Sequence, residues 1–400
     1  MVAHDLSKKG FDVVVLEAEN RIGGRIRSVV PPGFSNRVEA GAEFIHGNLP
    51  LTLQLVKDAG LQCVRTSGKM YQYKNGRLSQ QFGQGKAWAE FYAELEKLEQ
   101  DCSMLTFLET HFGTKQHSEF RKEVIEMAQG LDLADASELS VLSIRNEWLS
   151  EETQYRLVSG YTPLLDYLHN SPDLKKYELH LNNRVSKIKW QPGKVEVLTN
   201  ESLYTADAVV IAISLGNLQR RQIKFEPEIS KFESRFSQIG FGKVIKIALE
   251  FKHRFWEDAH ADIGFLFTEI GMTFWTQLSV ESTILTGWIG DGYVEKYDQH
   301  SDQEIINRAL KELELVFKRA DVHSVFRAGV VFRYTSDSVS GGGYSWLTTE
   351  SISAIEQINE GISDTIWFCG EALHPRAEVG TVEAALQSGR HVARKIMARH

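Results

Sequence analysis

The sequence predicts an α/β chain built as two interleaved domains, and three observations predict it. A short β-branched run at residues 11–16 (FDVVVL) follows the turn signal Lys9-Gly10 and ends on an acid, Glu17, as a buried parallel strand does. Between residues 86 and 168 apolar residues recur every three or four positions with charges between them, the period of helices. Short strands then return over residues 179–213 and 244–288, and a last α/β piece spans residues 366–397.

The order of these blocks implies a Rossmann-like nucleotide-type domain, its first strand and glycine loop absent from this chain, interleaved with an α+β domain of helices and a mixed sheet. The expected division assigns 1–66, 175–240 and 355–400 to the first domain and 67–174 and 241–354 to the second. With 400 residues, 42% of them hydrophobic and 24% charged, the chain has an ordinary globular composition with room for two or three cores. Forty-five basic against 53 acidic residues give a net charge of -8, which argues against general attraction to nucleic acid or an anionic membrane.

The longest uncharged apolar run, residues 208–215, is far short of the ~20 residues of a membrane-spanning helix. Residues 1–10 place charges ahead of any apolar stretch, the wrong order for a secretory signal, so the expected address is cytoplasmic. Cys63, Cys102 and Cys369 are odd in number and widely spaced, and read as buried thiols rather than a disulfide framework or a zinc site.

Residues 1–9 space Val2, Ala3 and Leu6 as one face of a short helix. A loop through Arg21-Ile22-Gly23-Gly24-Arg25 leads to an expected helix at 51–59 and strands at 62–65 and 70–73. The helical block occupies 86–112, 119–127 and 161–168. Strands follow at 179–181, 185–190, 195–198 and 208–213, separated by Asn182-Asn183, Pro192-Gly193 and Asn200.

A strand ending in an acid that could accept from ribose hydroxyls is half of a dinucleotide fingerprint. The other half, G-x-G-x-x-G about 20 residues before the acid, occurs nowhere in the chain. Counting back from Glu17 places it upstream of Met1, and the expectation is that the native protein begins there. The plain alternative is an α/β strand whose terminal acid is solvated.

In RIGGR, paired glycines let backbone amides approach a phosphate while Arg25 can fork onto its oxygens; a glycine turn with two surface arginines is the bland reading. Near the C-terminus, a strand at 366–369 feeds Gly370-Glu371, a loop reaches Gly380, and a helix starts near Thr381. Its N-terminus is a docking site for an anion or polar ring, or else simply the start of a C-terminal packing helix.

Taken together, LEAENRIGGRIRS, VEAGAEFIHG and FCGEALHPRAEVGTVEAALQSG resemble the flavin-containing amine oxidases, the family of monoamine oxidases, polyamine oxidases and flavin-dependent histone demethylases. The family's E-x-x-x-R-x-G-G-R segment is matched by Glu17, Arg21, Gly23, Gly24 and Arg25. The resemblance implies FAD, with Glu17 at the adenosine ribose, Gly24 and Arg25 at the pyrophosphate, and Gly41 and Ala42 on the flavin side. It further implies Val185 at the adenine, Gly370 and Glu371 near the ribityl and pyrophosphate, and Gly380, Thr381 and Val382 against the isoalloxazine.

The same likeness implies that Lys246, in GKVIKIALEFKHRFW, holds a water to flavin N5. Alternation alone allows a duller reading, with Ile245, Ile247, Leu249 and Phe251 inward and Lys246, Glu250 and Lys252 on a wet face. Tyr344, in SGGGYSW, would form one wall of an aromatic cage, and Thr381 stands where a second tyrosine occurs in monoamine oxidases. Gly343 occupies the place of their flavin-linking cysteine, so non-covalent FAD is expected; Ser338-Val339 replaces Pro-Trp of many relatives. His46 matches a histidine near the substrate channel of several polyamine oxidases.

The implied activity is oxidation of a primary or secondary amine, polyamines included, to an imine and aldehyde, with O2 reduced to H2O2. Neither nucleic acid nor membrane is an expected partner. An L-amino-acid oxidase would need a buried arginine for the substrate carboxylate. A flavin-free remnant would follow from the missing glycine loop. No long helical insertion of the demethylase kind interrupts the chain.

Overall fold

The computed structural model describes residues 1–80, 83–149, 153–171, 176–277, 281–375 and 379–399. The expected strand at the start forms over Val13–Leu16 and pairs in parallel with Tyr177–His180. A second parallel pair joins Val209–Ile211 to Ile366–Phe368. Each pair is a two-stranded sheet of its own. Beside them, Leu203–Ala206, Lys194–Thr199, Val185–Gln191 and Lys224–Glu226 form a four-stranded sheet in that order.

Helix Val2–Lys8 covers these parallel strands, with Leu6 buried against Trp367, Cys369 and Val392. The C-terminal helix Val382–Met397 starts at an N-cap, Thr381, whose side chain accepts from the Ala384 N–H. In its first turn the buried Glu383 accepts from the Leu51 and Thr52 backbone N–H groups at 3.1 and 2.6 Å. Helix Pro50–Asp58 has no side-chain cap from its own N-cap residue, so Glu383 satisfies its orphan donors from the other end of the chain.

The helical block divides into Lys86–Glu96, Met104–Phe112 and Ser118–Met127 around a core of Trp88, Phe91, Phe107 and Phe120. The second sheet is larger than the sequence pattern suggests. It has seven strands, in the order Phe326–Tyr334, Val244–Phe251, Ile284–Ile289, Met272–Trp275, Ile263–Thr268, Lys69–Lys74 and Arg77–Ser79.

On one face of this sheet Ile245, Ile247, Leu249 and Phe251 pack with the amphipathic helix Asp302–Phe317, which opens on a Ser301/Glu304 capping box. The opposite face is not wet. Lys246 is 2% exposed and Glu250 fully buried, because a second layer covers that side: Ala248 packs with Phe34 and Val38, and Glu250 accepts from the Ser35 N–H. Period-two alternation identified the two faces; what covers the second depends on contacts more than 200 residues away in sequence. Cys369 is buried as expected, but Cys63 and Cys102 are only half-buried.

A candidate amine-oxidising site

A cavity of about 2150 Å³ is lined by residues from both ends of the chain, some between 1 and 49 and some between 369 and 396. That is roughly twice the upper end of ordinary small-molecule pockets, ~1,000 Å³. Every candidate residue from the sequence lines it: Glu17, Arg21, Gly23, Gly24, Arg25, Gly41, Ala42, His46, Val185, Lys246, Tyr344, Gly370, Glu371, Gly380, Thr381 and Val382.

At one end stand Val13–Leu16, Glu17 and Val185. Glu17 accepts from the Glu19 N–H at 2.7 Å, and burial raises its carboxyl above the usual range. Arg21 does not reach out of its loop. Its guanidinium donates to the carbonyls of Ile22, Ile26 and Gly24 and pairs with Glu19, clamping the turn in which Gly24 takes a φ of 54°. Arg25 leaves the same turn and donates to the Gly343 carbonyl at 2.7 Å and to Glu371 at 2.6 Å. Glu371 also accepts from Ser345 and from the Gly380 N–H at 3.0 Å. The N-terminal arginine is therefore fixed by the C-terminal acid rather than left mobile for an anion.

Gly41 lies against this turn so closely that a Cβ would sit 1.8 Å from the Arg25 carbonyl oxygen. The segment then leads to Glu43, which sequence reasoning passed over although it lies inside the quoted EFIHG. Glu43 is buried and pairs with both Lys246, at 2.6 Å, and Arg156. The Trp275 indole N–H donates to it as well, at 3.2 Å. Burial would raise the Glu43 carboxyl, but Arg156 and Lys246 outweigh burial and hold it below its ordinary range.

Across the seven-stranded sheet, Phe332, Lys246, Trp288, Thr273 and Phe267 are successive cross-strand partners, and all five line the cavity. Tyr344 stacks on Trp288, ring centroids 6.1 Å apart and planes at 26°, and its hydroxyl donates to the Leu131 carbonyl. His46 ends the strand Phe44–His46, its ring 6.1 Å from that of Phe44. On the wall beyond Tyr344 lie Asp132 and Glu147. Burial and Glu147 push the Asp132 carboxyl well above its ordinary range, and one Asp132 oxygen is buried without a hydrogen-bond partner.

The residues present suit an elongated dinucleotide ring system. Close backbone approach at Gly41 and Gly380, the helix N-terminus after Thr381 and an acid at the far end supply the contacts such a group needs. Next to it, the Tyr344–Trp288 wall and Lys246 bound a smaller, aromatic-lined chamber. The buried Arg156 is not a free carboxylate receptor, since it is paired with Glu43 and donates to the Thr276 carbonyl at 3.3 Å.

Segments from both ends of the chain line one long cavity, and the comparisons give the class. Residues 1–397 match the model of the flavin containing amine oxidoreductase family. Polyamine oxidase 4 of Oryza sativa subsp. japonica is 25% identical, over 97% of this chain and 84% of its own length. Lysine-specific histone demethylase 1B of Mus musculus is 26% identical, over 99% of this chain and 51% of its own. Among solved structures, cyclohexylamine oxidase from Brevibacterium oxydans IH-35A superposes with a TM-score of 0.82 at 18% identity, covering 100% of this chain and 96% of that one. Putrescine oxidase bound to putrescine gives a TM-score of 0.81 at 17% identity, with the same coverage. The chain belongs to the flavin-containing amine oxidoreductases, and is an enzyme that oxidises amines with a flavin.

Proposed function

We propose that the flavin is FAD, held without a covalent bond, and that the substrate is a primary or secondary amine, with polyamines foremost. The overall reaction converts the amine, O2 and water to an aldehyde, H2O2 and the released amine. The observation that carries this reading is the convergence of the N-terminal Arg25 and the C-terminal Glu371 on the cavity that also holds Lys246 and Tyr344. Glu17 and Val185 would hold the adenosine end, Gly24, Arg25 and Glu371 the middle, and Gly41, Ala42 and Gly380–Val382 the ring. When bound, FAD accepts the two electrons of the C–H bond beside the amine nitrogen.

The chain's own residues prepare the substrate. Tyr344 and Trp288 present ring faces that orient the amine without a counter-charge that would keep it protonated. Lys246, the cross-strand neighbour of Trp288, holds a water or O2 beside these rings, and His46 lies toward the channel. Asp132 and Glu147 favour a substrate with a second, distal ammonium. Gly343 offers no thiol for a covalent flavin link.

The domain division proposed is that expected from the sequence. It is supported by the two-stranded parallel sheets, whose strands fall in the first set of segments, and by the helical block and all seven strands of the large sheet, which fall in the second. The strand Gln154–Leu157 crosses it, pairing with Phe44–His46 and Cys63–Arg65. The 174/175 boundary lies outside the described residues. No described helix is long and apolar enough to cross a membrane. A cytoplasmic address is proposed from the free cysteines, which suit a reducing compartment.

The test is the visible spectrum of the purified chain with added FAD. Flavin bands that bleach anaerobically with one of a panel of mono-, di- and polyamines, and a flavin released by acid precipitation, are the expected result. A chain that acquires no flavin absorbance would overturn the reading.

A further inference from the structure

We propose that Glu43 is a positioning residue, which with Arg156 fixes the Lys246 ammonium in the cavity wall and leaves that wall net positive, so that the amine enters in its neutral form. The proposal rests on the reading that Lys246 faces the reacting centre. Its own evidence is independent of that reading.

The Lys246 side chain is 3% exposed, and a lysine so buried is costly unless its charge is met. Two acceptors meet it: Glu43 Oε2 at 2.6 Å and the Gly41 carbonyl at 3.0 Å. An ammonium has three donors, so this leaves one N–H available toward the cavity. Four single bonds of rotational freedom in the lysine stem are thus resolved by one carboxylate. Glu43 is itself over-determined, taking Arg156 and Trp275 on its other oxygen.

The charges then sum simply. Arg156 and Lys246 carry two positive charges and Glu43 one negative, in a region with little water to screen them. Glu39 is a further carboxyl that feels Lys246; burial pushes it up to about 7, so at neutrality it carries about half a negative charge and leaves the wall net positive. A protonated amine approaching this wall meets repulsion, whereas its free base does not. The same wall holds a water or O2 where the remaining Lys246 N–H points.

The experiment compares Glu43→Gln, Lys246→Met and the double variant by two readouts. The first is thermal melting of the flavin-free chain at neutral pH. Glu43→Gln leaves Lys246 facing Arg156 without a counter-charge, so its melting temperature should fall below wild type. The double variant, which also removes one of the two cations, should melt above Glu43→Gln. The second is reoxidation of the reduced, flavin-loaded enzyme by O2, which should slow at least tenfold in Glu43→Gln and in Lys246→Met, with the double variant no slower than Lys246→Met.

A Glu43→Gln chain with wild-type melting and reoxidation within twofold of wild type overturns the proposal, whatever Lys246→Met does. If Glu43→Gln melts as expected but Lys246→Met reoxidises normally, the clamp stands and the role of Lys246 at the reacting centre falls. Should Glu43→Gln not fold, Glu43→Gln/Arg156→Gln removes an anion and a cation together. Its net wall charge is unchanged, so tenfold slower reoxidation there assigns the effect to positioning, and a wild-type rate overturns it.

Discussion

Arg25 and Glu371 lie 346 residues apart in sequence and 2.6 Å apart in the folded chain. Through this one ion pair the RIGGR turn, the strand-end acid at Glu371 and the loop at Gly380 become a single rigid wall, since Glu371 also takes the Ser345 and Gly380 donors. Glu371→Gln keeps the shape but leaves Arg25 without its partner. We expect a stability loss of about 1–3 kcal/mol and a drop of tenfold or more in flavin affinity, measured by titrating FAD into the purified chain. Undiminished affinity would detach this pair from the flavin site.

Gly41 provides a steric test of the same wall. A methyl group there would lie 1.8 Å from the Arg25 carbonyl oxygen and 3.2 Å from the Tyr334 hydroxyl. Backbone cannot yield as a side chain can, so Gly41→Ala should push the 40–42 segment away from the turn. The expected cost is about 1–3 kcal/mol or more, seen as a lower melting temperature, and flavin loading should fall with it. Gly130→Ala, with nothing within 4 Å of a Cβ and no positive φ, is the control for a general glycine effect on loading.

Local residue chemistry made much of this site legible. The Glu17–Arg25 motif, Gly41-Ala42, Lys246, Tyr344 and the Gly370–Val382 stretch carry their signals in short segments, and all line the cavity. What the chain alone could not show were pairings between distant segments. Arg156 and Glu43 are separated by 113 residues, and nothing in QYRL or EFIHG says that one neutralises the other. The same holds for Lys246, whose alternation pattern suits a wet face as well as a covered one. Residues 244–288 announced a sheet by their β-branched runs, but Lys69–Lys74 joins it by a parallel pairing across the helical block and Phe326–Tyr334 by an antiparallel pairing across helix Asp302–Phe317.

Glu39 should make stability depend on pH. Burial raises its carboxyl to about 7 from an ordinary 4.5, with the Ser28 hydroxyl and Lys246 opposing the rise. The folded chain therefore holds a proton over this interval that the unfolded chain releases, so the protonated form favours folding at low pH and stability is lost as pH rises from about 4.5 to 7. Glu39→Gln removes that titration. Its melting temperature should match wild type near pH 5 and exceed it at pH 8, where its stability should be greater by about 1–3 kcal/mol. A variant that tracks wild type across the range would show that Glu39 is ionised in the folded chain.

Asp132 supplies the sharpest test of substrate length. It and Glu147 line the cavity close to Tyr344, whose hydroxyl donates to the neighbouring Leu131 carbonyl. A diamine whose near nitrogen is neutral against the Tyr344–Trp288 rings places its distal ammonium toward this acidic end. The raised Asp132 carboxyl, held up by burial and by Glu147, gives up its proton more readily when a cation lies beside it. Discrimination for a diamine over a monoamine of equal chain length should therefore grow with pH as Asp132 ionises. Asp132→Asn should lower the ratio of kcat/KM for diamine over monoamine at least tenfold, mainly through the diamine KM. Equal ratios in wild type and Asp132→Asn would mean that the second nitrogen is not read at this wall, and the preference for polyamines would fall while amine oxidation itself stood.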